Sequence, residues 1–345
     1  IPFWKVKQIT VHRGSTVRLL CRCNMLLKTV NICGSFGESV CQTKEEMASR
    51  LTIDSIVELC CLEGVENINI FDDSKTYKSI DGIVYSCDGK RLLKCPRGKI
   101  GHVTIPEGTE VIAASAFKHC HIDSVSFPST LIKLENDAFV SSTVKKIDFG
   151  TGIKAVGWFS FCRELKSIVI PHQLEVIEQY AFYESGVERV SFEGEEPISG
   201  TAVLLPSDKD NLCRVDESAF RRCSVEKVVV SDKVHLQQNV FGKIKELTAD
   251  KYDDSIVDAV FKNSMEGTVV KVTIGGRMAV LPYVFAIHGG ETLLHEACRG
   301  YFADGSAEMK SQIDSSFMLG NNDDVREIVA EKMYMMDNSN NSAKE

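Results

Sequence analysis

The chain has 345 residues, 43% of them hydrophobic and 26% charged, which is enough apolar material for a large core, and length alone suggests two domains. Its formal net charge of −8, with no long basic run, argues against nucleic acid as the main partner, because phosphate recognition needs a concentrated excess of Lys and Arg. No run of about 20 uninterrupted apolar residues is present, so no membrane-spanning helix is expected.

Taken in chain order, one pattern recurs. Apolar-x-x-apolar-x-apolar starts at Val6, Leu27, Val65, Ile100, Ile122, Val144, Leu165, Val187, Val225, Ile244 and Val269. Its last two apolar residues alternate around one position, the period of a strand with a single buried face. The first coils, 1–64, are degenerate. Between Ile32 and Val65, Thr43-Lys44-Glu45-Glu46 has capping-box spacing and predicts a helix from Lys44 towards Leu62. An insert over 71–99 follows, where Asp88-Gly89 between two apolar runs predicts a hairpin.

Regular repeats are expected over 100–287. Val103-Thr104-Ile105-Pro106, Val125-Ser126-Phe127-Pro128 and Ile168-Val169-Ile170-Pro171 each lead at a fixed distance to Ala116-Phe117, Ala138-Phe139 and Ala181-Phe182. The same register gives Ser160-Phe161, Ala219-Phe220, Val240-Phe241 and Val260-Phe261, and Ile274 through Val280 to Phe285 copies the tighter spacing of the Val230 coil. Residues 193–211, rich in Gly, Pro, Ser and Asp, read as a surface loop. Beyond Gly290 the strand pattern stops. Leu293, Leu294 and Ala297, then Ile313, Phe317, Val325, Ile328 and Met333, suit short amphipathic helices, so 291–345 is expected to be a helical cap with a frayed tail.

A unit of this size cannot bury its own strand, so identical coils must stack into one continuous core. The expected fold is therefore a β-rich α/β solenoid, with one parallel strand per coil, an inserted helix and hairpin, and the helical cap. Three residues past the phenylalanines, small residues recur as Cys120, Ser142, Ser185, Cys223 and Ser264. The repeat positions favour reading at least three of the thirteen cysteines, Cys120 and Cys223 among them, as buried thiols acting as small hydrophobes. Thirteen is an odd number and cannot pair completely within one chain.

These residues carry a family resemblance. Thr104-Ile105-Pro106-Glu107-Gly108, Ala116-Phe117-Lys118-His119-Cys120 and the insert Tyr77-Lys78-Ser79-Ile80-Asp81-Gly82-Ile83-Val84-Tyr85 resemble the BspA-like leucine-rich repeat proteins of bacterial cell surfaces. The match is strong from about Val65 to Ser264, weaker before it and absent after Gly290; Gly150 departs from it by standing where the turn proline belongs. The resemblance implies a right-handed leucine-rich-repeat solenoid with adhesion or protein-binding roles at the cell surface or after secretion, and brings no catalytic residues. The cysteine content fits a reducing interior as well, which keeps a cytoplasmic scaffold open.

No phosphate-binding loop, nucleophile elbow or H-E-x-x-H occurs, and Cys21-x-Cys23 and Cys60-Cys61 lack the second pair that structural zinc requires. His119-Cys120-His121 is split by the core position of Cys120. Neither a cofactor nor a metal is expected, and the chain does not read as an enzyme. The alternative, a catalytic site in the C-terminal helices, would use His288 or His295. A protein partner and a monomeric chain are expected.

What remains is the outward side of the strands. The third and fifth pattern positions give Gln8, Thr10, Thr29, Asn31, Asn67 and Asn69, then His102, Thr104, Ser124, Ser126, Lys146, Asp148, Ser167, Val169, Arg189, Ser191, Lys227 and Val229, and last Glu246, Thr248, Lys271 and Thr273. This polar, mixed-charge ladder without aromatics is either a solvated sheet face or the concave binding face of the solenoid.

Overall fold

The computed structural model describes residues 7–12, 26–33, 53–71, 76–194, 199–204, 213–242, 244–261, 269–282 and 299. They belong to two compact units, Ile1–Val187 and Glu188–Glu345.

The first unit opens with three parallel strands, β1 (Gln8–His12), β2 (Thr29–Cys33) and β3 (Asn67–Phe71), whose register runs Gln8, Thr29, Asn67 at one end and His12, Cys33, Phe71 at the other. The pattern residues Leu27, Val30, Ile32, Val65 and Ile68 are buried. Helix α1 (Ile53–Cys60), between β2 and β3 in sequence, adds Ile56, Leu59 and Cys60 to the same core. It lies within the helix expected from Lys44; residues 34–52 fall outside the described ones.

The 71–99 insert forms β4 (Tyr77–Ile80), β5 (Ile83–Ser86) and β6 (Arg91–Lys94), paired antiparallel in succession. Asp88-Gly89 turns the second pair. Asp81 and Gly82, with φ of 50° and 71°, turn the first in the left-handed conformation that two-residue hairpins need. A Cβ on Gly82 would lie 2.4 Å from Asn67 Oδ1, so this turn rests on β3, where Ile68 N donates to Gly82 O at 2.9 Å. The buried Lys99 holds the turn from the other side, its Nζ donating to Asp81 O at 2.6 Å.

Coils then repeat. The strands β7 (His102–Thr104), β9 (Ser124–Ser126) and β11 (Lys146–Asp148) form a parallel sheet in strict register, and β13 (Ser167–Ile170) belongs to the next coil. Each coil has a short second strand: β8 (Val111–Ile112), β10 (Lys133–Leu134), β12 (Ala155–Val156) and β14 (Val176–Ile177). The last strand of the insert, β6, pairs in parallel with β8, so the hairpin heads the sheet of β8 and β10, while β12 and β14 pair in another. Pattern residues Val103, Val125, Ile147 and Ile168 from one side meet Ile112, Leu134, Val156 and Ile177 from the other, all buried.

The phenylalanine corners are a third point of attachment. Phe117 N donates to Ala138 O (2.7 Å), Phe139 N to Trp158 O (3.1 Å) and Phe159 N to Ala181 O (2.7 Å), each into the next coil. Their rings stack: Phe117 on Phe139 with centroids 4.6 Å apart, Phe139 on Phe159 at 4.7 Å, and Phe159 on Phe182 at 5.7 Å. The expected Ser160-Phe161 pair is thereby corrected. Phe159 is fully buried in the stack, whereas Phe161 is 37% exposed. The coil is two residues tighter between Val156 and its corner, where Gly157-Trp158 stand for the four residues Glu135 to Ala138. The even spacing from Phe139 to Phe161 is accidental; Cys162, buried three residues past Phe159, marks the true register.

The core cysteines behave as small hydrogen-bonding hydrophobes. Cys120 Sγ donates to Cys95 O (3.5 Å), Cys162 Sγ to Phe139 O (3.1 Å), and Ser142 Oγ lies 3.4 Å from Cys162 Sγ. All nine described cysteines are free thiols. Burial disfavours the thiolate, pushing Cys60 and Cys95 upward and Cys162 to about 11.

The second unit continues the pattern with β15 (Arg189–Phe192), β16 (Thr201–Leu204), β17 (Cys213–Val215), β18 (Lys227–Val230), β19 (Val234–Leu236) and β20 (Glu246–Ala249). The segment 193–211, expected as a loop, contains a strand: β16 lies in parallel between β15 and β18. Its Thr-Ala-Val-Leu run is too short for the strand to show against its Gly- and Pro-rich flanks. Phe220 and Phe241 stack with centroids 5.7 Å apart. Helix α2 (Asp254–Phe261) then carries Ile256 into the core where the other coils have a short strand or turn.

The end of the repeats also differs from expectation. Instead of entering another coil, β21 (Val269–Ile274) turns at Gly275-Gly276, both at positive φ, into the antiparallel β22 (Arg277–Pro282). Gly-Gly between two apolar runs is a hairpin signal that outweighs the Val280 spacing. The helical cap expected over 291–345 lies outside the described residues, Arg299 apart.

Two outcomes follow. Phe159→Ala should lower unfolding free energy by about 3–5 kcal/mol in denaturant titration, while Phe161→Ala should cost well under about 1 kcal/mol. Thiols with raised pKa in the folded state bind their protons more tightly there, so their contribution is complete below the ordinary value of 9.0 and is lost as pH rises through about 11. The denaturation midpoint should therefore decline through that alkaline window, and less steeply for Cys162→Ala.

Candidate interaction surface

Because strand side chains alternate, packing Val103, Val125 and Ile147 inward turns His102, Thr104, Ser124, Ser126, Lys146 and Asp148 outward. The parallel register aligns them in two rows, His102 with Ser124 and Lys146, and Thr104 with Ser126 and Asp148. His102, Thr104, Lys146 and Asp148 are exposed, and the two serines half-exposed. One coil on, Ser167 is half-exposed and Val169 exposed.

The first row is internally bonded. His102 Nδ1 lies 2.8 Å from Ser124 Oγ, and its Nε2 lies 3.0 Å from Thr104 Oγ1. A serine beside a histidine is the distance of a nucleophile and its base, but here the second ring nitrogen meets a hydroxyl rather than an orienting carboxylate. The group sits on an open sheet face. It is a hydrogen-bonding surface.

Ion pairs fix neighbouring coils at the edges of this face. Asp123 pairs with Lys145 at 2.7 Å, an arrangement that holds the Asp123 carboxyl below its usual range and lifts the Lys145 ammonium above its own. Along the short second strands, Lys90 meets Glu110 and Lys154 meets Glu175, both at 2.6 Å. Arg91 grips Glu135 through both guanidinium nitrogens. Exposed pairs of this kind add little stability, but they repeat from coil to coil and set register.

The ladder is not continuous in the first unit. Asn31 and Asn69 share a hydrogen bond of 3.0 Å on the β1–β3 sheet, but the hairpin turn at Asp81-Gly82 lies beside β3, and β7 begins a separate sheet. In the second unit, Arg189 is half-buried and Ser191, expected on the open face, is fully buried. The residues joining β15 to β16, 193–200, are too few for a coil, and Thr201, level with Arg189 in the register, is buried as well. Sequence reasoning missed Thr201 and Val203 as ladder positions, because β16 lay inside the segment read as a loop. Lys227 is exposed, Val229 half-exposed, and Lys227 pairs with Glu246 at 3.4 Å.

Among the described residues no group of three His, Cys, Asp or Glu side chains is placed to hold a metal ion, and no helix is long and apolar enough to cross a membrane. His119 and His121 are exposed on either side of buried Cys120. His288 and His295 lie outside the described residues.

Three solved structures are similar to this chain. A leucine-rich repeat protein from Bacteroides ovatus shares 15% identity over 78% of this chain and 63% of its own, with a TM-score of 0.45. The pneumococcal vaccine antigen PcpA shares 12% over 78% and 56%, at 0.42, and a leucine rich cell surface protein from Faecalibacterium prausnitzii shares 16% over 70% and 57%, at 0.38. The chain thus spans about three-fifths of the length of these proteins. No curated protein matches it. The model of the BspA type leucine rich repeat region matches residues 95–202 and 201–283 in six copies, and its second block begins at β16, the strand that restarts the coils. Covering more than half of the sequence, this match places the chain in the BspA-type leucine-rich repeat family.

Proposed function

We propose that the chain is a non-catalytic interaction module, of the adhesin-like type found at the cell surface or secreted, and that it binds a protein partner through the outward face of its strands. The observation that carries this reading is the register-locked polar strip of β7, β9 and β11. It presents His102, Thr104, Ser124, Ser126, Lys146 and Asp148 in fixed rows on a rigid sheet. Ser167 and Val169 extend the strip within the first unit, while in the second unit Lys227 and Val229 lie outward on β18, Arg189 is half-buried and Ser191 is buried. Preorganised donors and acceptors reduce the ordering cost of binding, and mixed charge favours selective over indiscriminate contact. The described part of the fold depends on no disulfide, so it needs no oxidising compartment to assemble.

The test is retention of a partner by the immobilised full chain. Lys146→Glu combined with Asp148→Lys, both on the exposed face of β11, should leave the unfolding midpoint unchanged and weaken retention at least about tenfold, the scale of losing one interfacial charge contact of some 1.4 kcal/mol. Retention insensitive to both changes, or turnover of a substrate by the purified protein, would overturn the proposal.

A further inference from the structure

The ladder carries no aromatic side chain, but one pair of corners does. Phe161 and Tyr183 meet edge to face with centroids 5.7 Å apart, and Tyr180 meets Tyr183 at 5.5 Å with rings at 90°. Backbone contacts fix the cluster: Phe161 N donates to Tyr183 O at 2.9 Å, and Ser160 Oγ to Tyr180 O at 2.6 Å. Phe161 and Tyr180 remain 37% and 44% exposed.

Folding does not ask for these rings. The core stack is completed by Phe159 and Phe182 beneath them. Each corner also places a left-handed residue two before or two after its core phenylalanine. Elsewhere those positions hold Ser115, Asp137, Ser218 and Asn239, or His119, Ser141, Glu184 and Arg222. Small polar residues tolerate that conformation best, and the other occupants of these positions, including His119, Glu184 and Arg222, are polar. Yet Tyr180 (φ 57°) and Phe161 (φ 61°) occupy it with large apolar rings turned to solvent. Strain of this kind, spent on exposed aromatics, is characteristic of recognition surfaces.

The chemistry narrows the partner. Rings in direct edge-to-face contact leave no space between them for a cation, and perpendicular rings offer no flat platform for a sugar. Aromatics beside an arginine are the composition of a protein hot spot, and Arg163 stands next to the cluster, paired with Glu184 at 3.3 Å. The flanking sequence supplies Glu164, Glu178 and Glu184 against Arg163 and Lys166, a net acidic rim that disfavours a second copy of the same surface. We infer that Phe161, Tyr180 and Tyr183 form a docking patch, separate from the ladder, for a protein segment whose apolar or aromatic side chain is flanked by Lys or Arg.

The probe is a random dodecapeptide library displayed on phage, panned on the full chain. Selected peptides should carry an apolar residue beside basic ones, and their synthetic versions should bind at least about tenfold more weakly to Phe161→Asn/Tyr180→Asn. Asn accepts the left-handed conformation, so the variant's unfolding midpoint should stay level or rise. Tyr180→Phe should keep binding, and so should Lys146→Glu, which separates this patch from the ladder. If the double variant loses its fold, Tyr180→Asn alone replaces it. The inference is overturned if selected peptides lack basic flanks, if none is enriched, if they bind the Asn variants as well as the native chain, or if Lys146→Glu abolishes them.

Discussion

The fold depends on coil-to-coil stacking, and the corner phenylalanines are where that stacking is most constrained. Each ring lies face to face on the next, while its own backbone N–H is donated to the following coil and leaves no freedom to slide. A strand can slip in register by two residues and keep its buried face. A stacked ring with a bonded amide cannot. When one coil is two residues shorter, the chain therefore gives up even spacing and keeps Phe159 in the column. The extra aromatic, Phe161, is left outside.

This division explains what was legible in the residues. Strand positions, buried alternation and the hairpin at Asp88-Gly89 follow from local pattern, and the structure has them. Cys120 was readable as core at Phe+3 because its counterparts in other coils are serines, and it donates to a carbonyl one coil away; Cys162 does the same from a register that even spacing hides, whereas Cys223, expected in the core, is only half-buried. The misreadings all overrode a short local signal. Phe161 and the Val280 coil were assigned by extending a period, and the 193–211 loop by its bulk composition, whereas the structure obeys local signals. Those signals were Cys162 beside Phe159, Gly275-Gly276, and the apolar Ala202-Val203-Leu204 run. The ladder was visible as alternation, but its interruption by the Asp81-Gly82 turn was not, since that contact joins residues far apart in the pattern.

The two surfaces follow from the same geometry by different routes. The ladder is an unavoidable product of alternation: every buried strand residue puts a neighbour outside, and polar residues there keep the sheet face wetted. Its value for binding lies in fixed spacing. The aromatic corner is not unavoidable, since other corners place polar residues at these positions. Phe161 is exposed because its own coil is two residues shorter, so that ring and the shortened coil are one feature.

Native-state hydrogen exchange of the corner amides tests the stacking account most directly. If the corners hold coils together, the amides of Phe117, Phe139 and Phe159 exchange as slowly as those of Val103, Val125 and Ile147 in the strands. Corner amides that exchange at loop rates, while the strands stay protected, would contradict it and leave the strand ladder as the sole tie between coils.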